Sequence, residues 1–323
     1  MRATNLGRSG VVVTELGLGT AQLGGLYEPT MDQRTANATV AAAWEAGIRY
    51  FDTAPHYGLG AAEERVGVAL AGRPREAFTI STKVGRLIVE NADGGRERRW
   101  GFGADAVRRS LDMSRQRLRL DRIDVALVHD PEEHLDQAID EAFPALAELR
   151  AHGVIGAVGV GTRNLPSLLR FVRETEVDAV MVAGRLTLLD ADALVELVPL
   201  CRERGVSVLN AGVFNSGVLA APAPVAGAHF EYATAPPHVL ARAREIEATT
   251  LRHGISLPEA ALAFAAHSDV VSSVVVGADS PEQIVQTADA FAARHRDLSE
   301  LWRDLRPGRP GATTAREPHH RGE

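Results

Sequence analysis

The chain has 323 residues, of which 45% are hydrophobic, and this length suits one large domain or two small ones. Its net charge of −7 argues against a basic surface for nucleic acid or membrane lipid, and no apolar run reaches transmembrane length. Cys201 is the only cysteine, which excludes an internal disulfide. The first residues lack the apolar region of a signal peptide, so we expect a cytoplasmic protein.

In chain order, the first predicted element is a β-hairpin in residues 6–13, around a glycine-containing turn. Strand-like and helix-like segments then alternate. The predicted strands cover residues 15–19, 48–52, 78–83, 123–128, 154–160, 178–182, 206–210 and 273–277. The predicted helices lie near residues 33–46, 61–71, 104–119, 136–152, 165–174, 190–204, 238–253 and 281–293. Eight strand-then-helix units predict a single (β/α)8 TIM barrel over residues 1–305.

An open dinucleotide-binding sheet fits less well, because Gly17-Leu18-Gly19 lacks the third glycine of that fingerprint. Two long connections, residues 84–103 and 211–237, follow the third and seventh predicted strands. Structureless connections of this length are usually functional loops, so we expect both to cover the active face of the barrel. The tail at 306–323 has no apolar periodicity and is expected to be disordered.

Four polar residues stand at or just past the ends of short β-like runs: Asp52, Tyr57, Lys83 and His129. Parallel barrel strands open on one face, so these side chains are expected to meet there. Taken singly, Tyr57 could be an ordinary loop tyrosine and Lys83 a solvated strand-end lysine. Together they form a proton-transfer group, in which a lysine held by Asp52 favours the ionised phenol and His129 orients a substrate oxygen. On an alternating strand, Asp130 should face away from the side chain of His129.

The chain resembles the aldo-keto reductases over roughly residues 5–305. The resemblance rests on residues 46–58 (AGIRYFDTAPHYG) and 276–283 (VGADSPEQ), on residues 6–10, 16–20, 81–83 and 118–124, and on the order of the four polar residues. It implies a (β/α)8 barrel that binds a nicotinamide cofactor across the strand ends. It also implies that Tyr57 exchanges a proton with the substrate, that Lys83 and Asp52 tune it, and that His129 orients the substrate.

Residues 129–134 (HDPEEH), 183–190 (AGRLTLLD) and 214–219 (FNSGVL) are similar to the aldose 1-dehydrogenases that oxidise L-fucose and related sugars, a branch shared by pyridoxal 4-dehydrogenases. The resemblance implies oxidation of the anomeric carbon of an aldose such as L-fucose to a lactone. A pyridoxal-type or broad carbonyl reductase is the alternative, and a non-catalytic cofactor-binding subunit is a third possibility. The exact substrate, the direction of hydride transfer and the choice between monomer and homo-oligomer stay open.

The resemblance also predicts the residues around the ligands. The cofactor-binding residues are Gly19, Thr20, Ala21, Asp52, Thr162, Asn164, Phe214, Asn215, Ser216, Gly217, Gly277, Asp279, Gln283 and Gln286. Asp279 stands where NADP-binding relatives usually have a basic residue, so NAD is expected to be preferred to NADP. Besides Tyr57 and His129, Trp100 and Phe102 are predicted to contact the substrate, unless these two rings only pin their loop to the barrel. The histidines show no metal-binding spacing, so no metal is expected.

Overall fold

The computed structural model describes residues 1–25, 31–225, 227–231 and 233–305. The strands are β1 Ala3–Asn5, β2 Val12–Thr14, β3 Leu16–Gly19, β4 Tyr50–Asp52, β5 Thr79–Val84, β6 Arg86–Glu90, β7 Arg96–Trp100, β8 Ile123–His129, β9 Ile155–Thr162, β10 Ala179–Ala183, β11 Ser207–Ala211, β12 His229–Phe230, β13 Ala233–Thr234 and β14 Val271–Gly277. The helices are α1 Gln33–Glu45, α2 Ala61–Leu70, α3 Ala104–Leu118, α4 Leu135–Gln137, α5 Phe143–Ala151, α6 Leu165–Glu174, α7 Leu197–Arg204, α8 Pro237–Arg252, α9 Leu257–Ala265, α10 Pro281–Ala290 and α11 Ser299–Leu305. A π-helical segment, Ala138–Ala142, joins α4 to α5.

Eight of these strands form a closed parallel barrel in the order β3, β4, β5, β8, β9, β10, β11 and β14. These are the eight strands that the sequence predicts, and the (β/α)8 fold is confirmed. Helices cover the outside of the barrel and side chains fill its inside, so the strands are buried on both faces. Every residue of β8, for example, is buried. Continuous apolar runs are expected of such strands.

The N-terminal hairpin is also confirmed, because β1 and β2 pair antiparallel. Leu6 and Val13 belong to the same buried cluster as Tyr50, which reaches into the barrel interior from β4. Gly17 on β3 leaves room for that ring, since a Cβ there would lie 2.6 Å from Tyr50 Cδ1. The hairpin thus packs at the end of the barrel where the strands begin, and the opposite end carries the site.

The two long connections contain more structure than the sequence analysis expected. Residues 84–103 form an antiparallel hairpin of β6 and β7, and residues 211–237 include the short pair β12 and β13. The charged run at 96–99 conceals β7, because three of its five residues are arginines. Helices α9 and α11 were also not predicted.

Helix α9 shows why. All of its residues except Pro258 and Glu259 are buried, so its sequence lacks the alternation of polar and apolar faces that marks a surface helix. Its N-terminus is signalled by the capping box of Ser256 and Glu259, with Pro258 in the first turn. In the described part of the chain, no helix is long and apolar enough to cross a membrane. The predicted disordered tail, 306–323, lies outside the described residues.

Candidate active site

The four predicted catalytic residues meet at the carboxyl end of the barrel. Lys83 on β5 donates through Nζ to both carboxylate oxygens of Asp52, at 2.9 and 2.7 Å. The same ammonium lies 2.9 Å from the carbonyl oxygen of Thr53 and 3.1 Å from the hydroxyl of Tyr57. All three protons of Lys83 therefore have acceptors, and the lysine is fixed against the phenol.

The backbone around Tyr57 explains why this loop residue is placed so firmly. Asp52 ends β4, and the following turn brings Tyr57 back over the barrel, where Gly58 lies against the backbone of Gly24. Gly58 has a φ of 59°, which favours glycine. A Cβ added at Gly24 would lie 2.6 Å from the carbonyl carbon of Tyr57, so both positions require glycine. This close contact joins the Tyr57 loop to the turn after β3.

Lys83 and Asp52 are almost completely buried, with side chains 2% and 3% exposed. Burial by itself lowers the pKa of Lys83, but the nearby Asp52 and Tyr57 outweigh it and the pKa is raised. The ammonium therefore stays charged over the whole working range of an enzyme. Asp52 Oδ1 also accepts a hydrogen bond from Ser81 at 2.6 Å, and Ser81 is 2.9 Å from the hydroxyl of Tyr50.

His129 completes the group from the end of β8. Its ring lies 6.1 Å from that of Tyr57, at an interplanar angle of 89°. Burial lowers the pKa of His129 well below its usual value, and Lys83 and Arg86 add to the effect, so the ring is neutral. Its Nδ1 is buried and has no hydrogen-bond partner among the described residues. A neutral imidazole with a free nitrogen can bind a substrate hydroxyl or carbonyl oxygen.

The predicted orientation of Asp130 is wrong. The strand ends at His129, and Asp130 has a φ of 43°, which turns the chain out of the alternating geometry. Its carboxylate lies 3.6 Å from His129 Nε2 and forms an ion pair with Arg86 of β6. Asp130 therefore adds a negative charge on the histidine's own side. Neither it nor Arg86 was among the predicted site residues.

The hairpin of β6 and β7 stands beside this group and holds both predicted aromatic residues. Trp100 is 41% exposed, and its ring is stacked on Phe102 at a centroid distance of 5.9 Å. Phe102 is only 1% exposed and its ring lies against Gly85, which has a φ of 105°. These contacts favour the alternative that the sequence analysis left open, in which the ring of Phe102 anchors the hairpin, and its contact with a substrate stays a prediction. Trp100 keeps an exposed face and stays a candidate.

Two predicted cofactor residues at the end of β9 and just after it already use their side-chain oxygens. Thr162 donates to Glu132, and Asn164 caps α6 by accepting from the backbone nitrogen of Ser167 at 2.9 Å. The side-chain amide nitrogen of Asn164 is what remains for a ligand. After β3, Thr20 donates at 3.0 Å to the backbone oxygen of Asp52, and so joins the predicted cofactor wall to the catalytic group.

The connection after β11 carries predicted cofactor residues 214–217. Asn215 and Ser216 have φ values of 48° and 58°, which fold this segment into tight turns over the end of the barrel. Farther along, Glu231 forms ion pairs with Arg163, which follows β9, and with Arg185, which follows β10. The connection is thus held against the neighbouring strand ends.

Buried polar atoms without a hydrogen-bond partner indicate whether the predicted cofactor-binding residues fit a nicotinamide cofactor. The side-chain oxygens of Gln22 and Asn215 are buried and have no hydrogen-bond partner in the described part of the chain. A buried acceptor without a donor costs free energy, so such atoms in a cleft indicate a ligand that donates. A carboxamide nitrogen and ribose hydroxyls are donors of this kind. The Gln22 side chain lies directly against Gly277, and a Cβ added there would require that side chain to move.

The predicted adenosine end lies where β14 leads into α10. Ser280 caps the helix by accepting from the backbone nitrogen of Gln283, and the Gln283 side chain accepts from the backbone nitrogen of Asp279 at 2.8 Å. Asp279, Gln283 and Gln286 are exposed there. Arg294, an arginine that follows α10 in the chain, is held by Glu15 at 3.0 Å and stacks on Phe291. Among the described residues no cluster of three or more His, Cys, Asp or Glu side chains is arranged to hold a metal ion.

Known proteins agree with this geometry. The sequence profile of the aldo/keto reductase family matches residues 15–300. A D-threo-aldose 1-dehydrogenase of Pseudomonas sp is 41% identical, and the match covers 93% of this chain and 95% of the relative. A pyridoxal 4-dehydrogenase of Microbacterium luteolum is 39% identical with the same two coverages. The holo structure of an aldo-keto reductase from Bacillus halodurans superposes with a TM-score of 0.74 at 28% identity, over 93% of this chain and 96% of that one. The chain therefore belongs to the aldo/keto reductase family and is a nicotinamide-dependent oxidoreductase.

Proposed function

We propose that the enzyme oxidises the anomeric carbon of an aldose such as L-fucose to the lactone, with NAD as the preferred cofactor. The observation that carries the proposal is the contact of Lys83 with Tyr57 at 3.1 Å, backed by Asp52. A fixed cation at this distance favours the phenolate over the phenol, which suits Tyr57 to take a proton from the substrate. The 41% identical aldose dehydrogenase supports a sugar as the substrate.

In the proposed reaction, Tyr57 takes the proton of the anomeric hydroxyl. The oxygen's electron pair then forms the carbonyl bond of the lactone as the C1–H bond breaks. The bound nicotinamide supplies the hydride acceptor. His129, neutral and with one nitrogen free, holds the same oxygen in line with Tyr57. In the opposite direction Tyr57 protonates the carbonyl oxygen, so the same residues serve a reduction.

For the cofactor, we propose that Asn215 and Gln22 accept from donor groups of the nicotinamide half, and that Asn164 contributes its amide nitrogen. The acidic side chain of Asp279 and the exposed amides of Gln283 and Gln286 would surround the adenosine ribose. Residues 277–286 contain no lysine or arginine, which favours a free 2′-hydroxyl over a 2′-phosphate. The single cysteine is buried and fits the reducing cytoplasm, where we place the enzyme.

A pyridoxal-type substrate is the second candidate. It is favoured by the 39% identical pyridoxal 4-dehydrogenase and by the exposed face of Trp100, on which a flat pyridine ring would stack. The complete set of Asp52, Tyr57, Lys83 and His129 in contact argues against a non-catalytic cofactor-binding subunit.

A substrate panel separates these candidates. Purified enzyme is assayed for NADH and NADPH formation with L-fucose, other aldoses and pyridoxal, each with NAD and NADP. The proposal predicts the highest kcat/KM for an aldose with NAD. Turnover of pyridoxal alone would select the second candidate, and binding of cofactor without any turnover would select the non-catalytic subunit.

A further inference from the structure

Arg98 occupies the middle of β7, on the hairpin face that turns toward the catalytic group. In the hairpin register Arg86 pairs with Trp100, and Ile88 pairs with Arg98. Side chains alternate along a strand, so Arg98 and Trp100 share a face while Arg99 lies on the other. The contacts agree with this assignment of faces, because Arg98 contacts His56 beside the catalytic group whereas Arg99 binds Glu97.

Arg98 differs from its neighbours in having no carboxylate partner. Lys83 pairs with Asp52, Arg86 with Asp130, Arg96 with Glu64 and Arg99 with Glu97. Within the described residues, Arg98 contacts the two ring nitrogens of His56 at 3.4 Å and lies 5.9 Å from the centre of the Trp100 ring. Hydrogen bonds at that distance are long, so most of its donors remain available.

The charge of Arg98 is not offset by the histidine it touches. Burial lowers the pKa of His56 to about 4, with further contributions from Arg86, Arg98 and Lys83, so the ring is neutral at pH 7. The neighbouring guanidinium, on Arg86, is already neutralised by Asp130. Among the described residues around the site, Arg98 therefore presents a guanidinium that no carboxylate offsets, next to the exposed ring of Trp100.

The location of Arg98 fits the far end of a substrate. The ring of His56 lies 6.1 Å from the ring of His129, and Arg98 contacts the ring of His56. A sugar that places its C1 between Tyr57 and His129 would extend past His56 toward β7. A guanidinium presents paired N–H donors in a plane, a geometry suited to a carboxylate or phosphate.

We propose that Arg98 binds an anionic group, a carboxylate or phosphate, at the end of the substrate opposite to the carbon that is oxidised. The proposal rests on the proposed function only in assuming that the reacting carbon lies at Tyr57. It makes Arg98 a specificity-determining residue, and among aldoses it favours a sugar acid or sugar phosphate over its neutral counterpart.

The test compares wild type with Arg98→Gln, Arg98→Lys and the control Arg99→Gln, which removes a neighbouring charge from the opposite face. Substrates are galactose, galacturonate and galactose 6-phosphate, with NAD and NADP. Wild type is expected to prefer at least one anionic sugar over galactose. Arg98→Gln should reduce that preference about 10- to 100-fold, the range for losing a charge-assisted hydrogen-bonded pair, mainly through KM. Arg98→Lys should restore part of it, and Arg99→Gln should leave it unchanged.

Salt gives an independent readout, because added NaCl should raise KM for the anionic sugar and not for galactose. A wild-type preference for galactose, or an equal loss on all three sugars in Arg98→Gln, would overturn the proposal. Comparing galacturonate with the phosphate identifies the anion. If no sugar is turned over, the proposed aldose oxidation fails, and calorimetric titration of both anions into NAD-saturated wild type and Arg98→Gln still decides the subsite: equal or absent binding would refute it.

Discussion

The buried ion pair of Lys83 and Asp52 allows a sharp prediction about stability. Replacing Lys83 by methionine keeps a similar volume but leaves the Asp52 carboxylate buried, with Ser81 as its remaining side-chain donor. Removing one partner of a buried pair typically costs about 3–5 kcal/mol, because the other charge is left uncompensated. For a chain of this size, about 2 °C per kcal/mol implies a melting temperature roughly 6–10 °C lower.

The double variant Asp52→Asn/Lys83→Met removes both charges and is the matched control. It should recover more than half of the lost melting temperature, because no unpaired charge remains in the barrel, although both variants should turn over substrate more slowly than wild type. Thermal unfolding is followed by circular dichroism at pH 7 without cofactor, since ligand binding would add stability of its own. The reasoning would be refuted if Lys83→Met had the same melting temperature as wild type, or if the double variant had a lower melting temperature than Lys83→Met.

Four further predictions concern catalysis and binding. Tyr57→Phe should lower kcat roughly 10²- to 10⁴-fold while cofactor affinity, measured by fluorescence titration, stays near wild type; activity within a few-fold of wild type would exclude Tyr57 as the acid–base group. In Lys83→Met, any residual oxidation should have a higher pH optimum, because without the cation the phenol loses its proton only at higher pH; an unshifted pH–rate profile would contradict the pairing. Trp100→Ala should raise KM for the sugar more than the Kd for cofactor, and equal effects on both would assign Trp100 to loop packing. Asp279→Arg should shift the NAD-to-NADP ratio of kcat/KM toward NADP, and an unchanged ratio would place Asp279 away from the ribose.

The barrel could be predicted from the sequence because the pattern that indicates it is local and repeats along the chain. Each of the eight strands is a short apolar run followed by a helical pattern, and the polar residues at the strand ends mark the active face. The contact of Lys83 with Asp52 and Tyr57 follows from that topology alone. Helix α9 escaped prediction because burial on all sides removes the helical period, although Ser256 and Glu259 signal its start.

The parts of the site that were missed depend on non-local geometry. Arg86 and Arg98 lie in a segment whose charge resembles that of a solvated loop, and only the hairpin register shows that they face the catalytic group. The turn at Asp130 reverses the expected side of its carboxylate, and a positive φ at a non-glycine residue cannot be read from alternation. Phe102 and Trp100 have similar sequence contexts, and packing against Gly85 decides which of them is buried.

The hairpin of β6 and β7 is a separate two-stranded sheet whose base is closed by the hydrogen bond from Gly101 to the Gly85 oxygen, at 3.0 Å. Neither β6 nor β7 pairs with a barrel strand. Asp52, Lys83 and His129, by contrast, all lie on barrel strands. Substitutions in the hairpin can therefore change which molecule is accepted while the proton-transfer group keeps its geometry. Such a division makes the enzyme a candidate for directed evolution confined to residues 87–100, with Arg86 kept because it pairs with Asp130 beside His129.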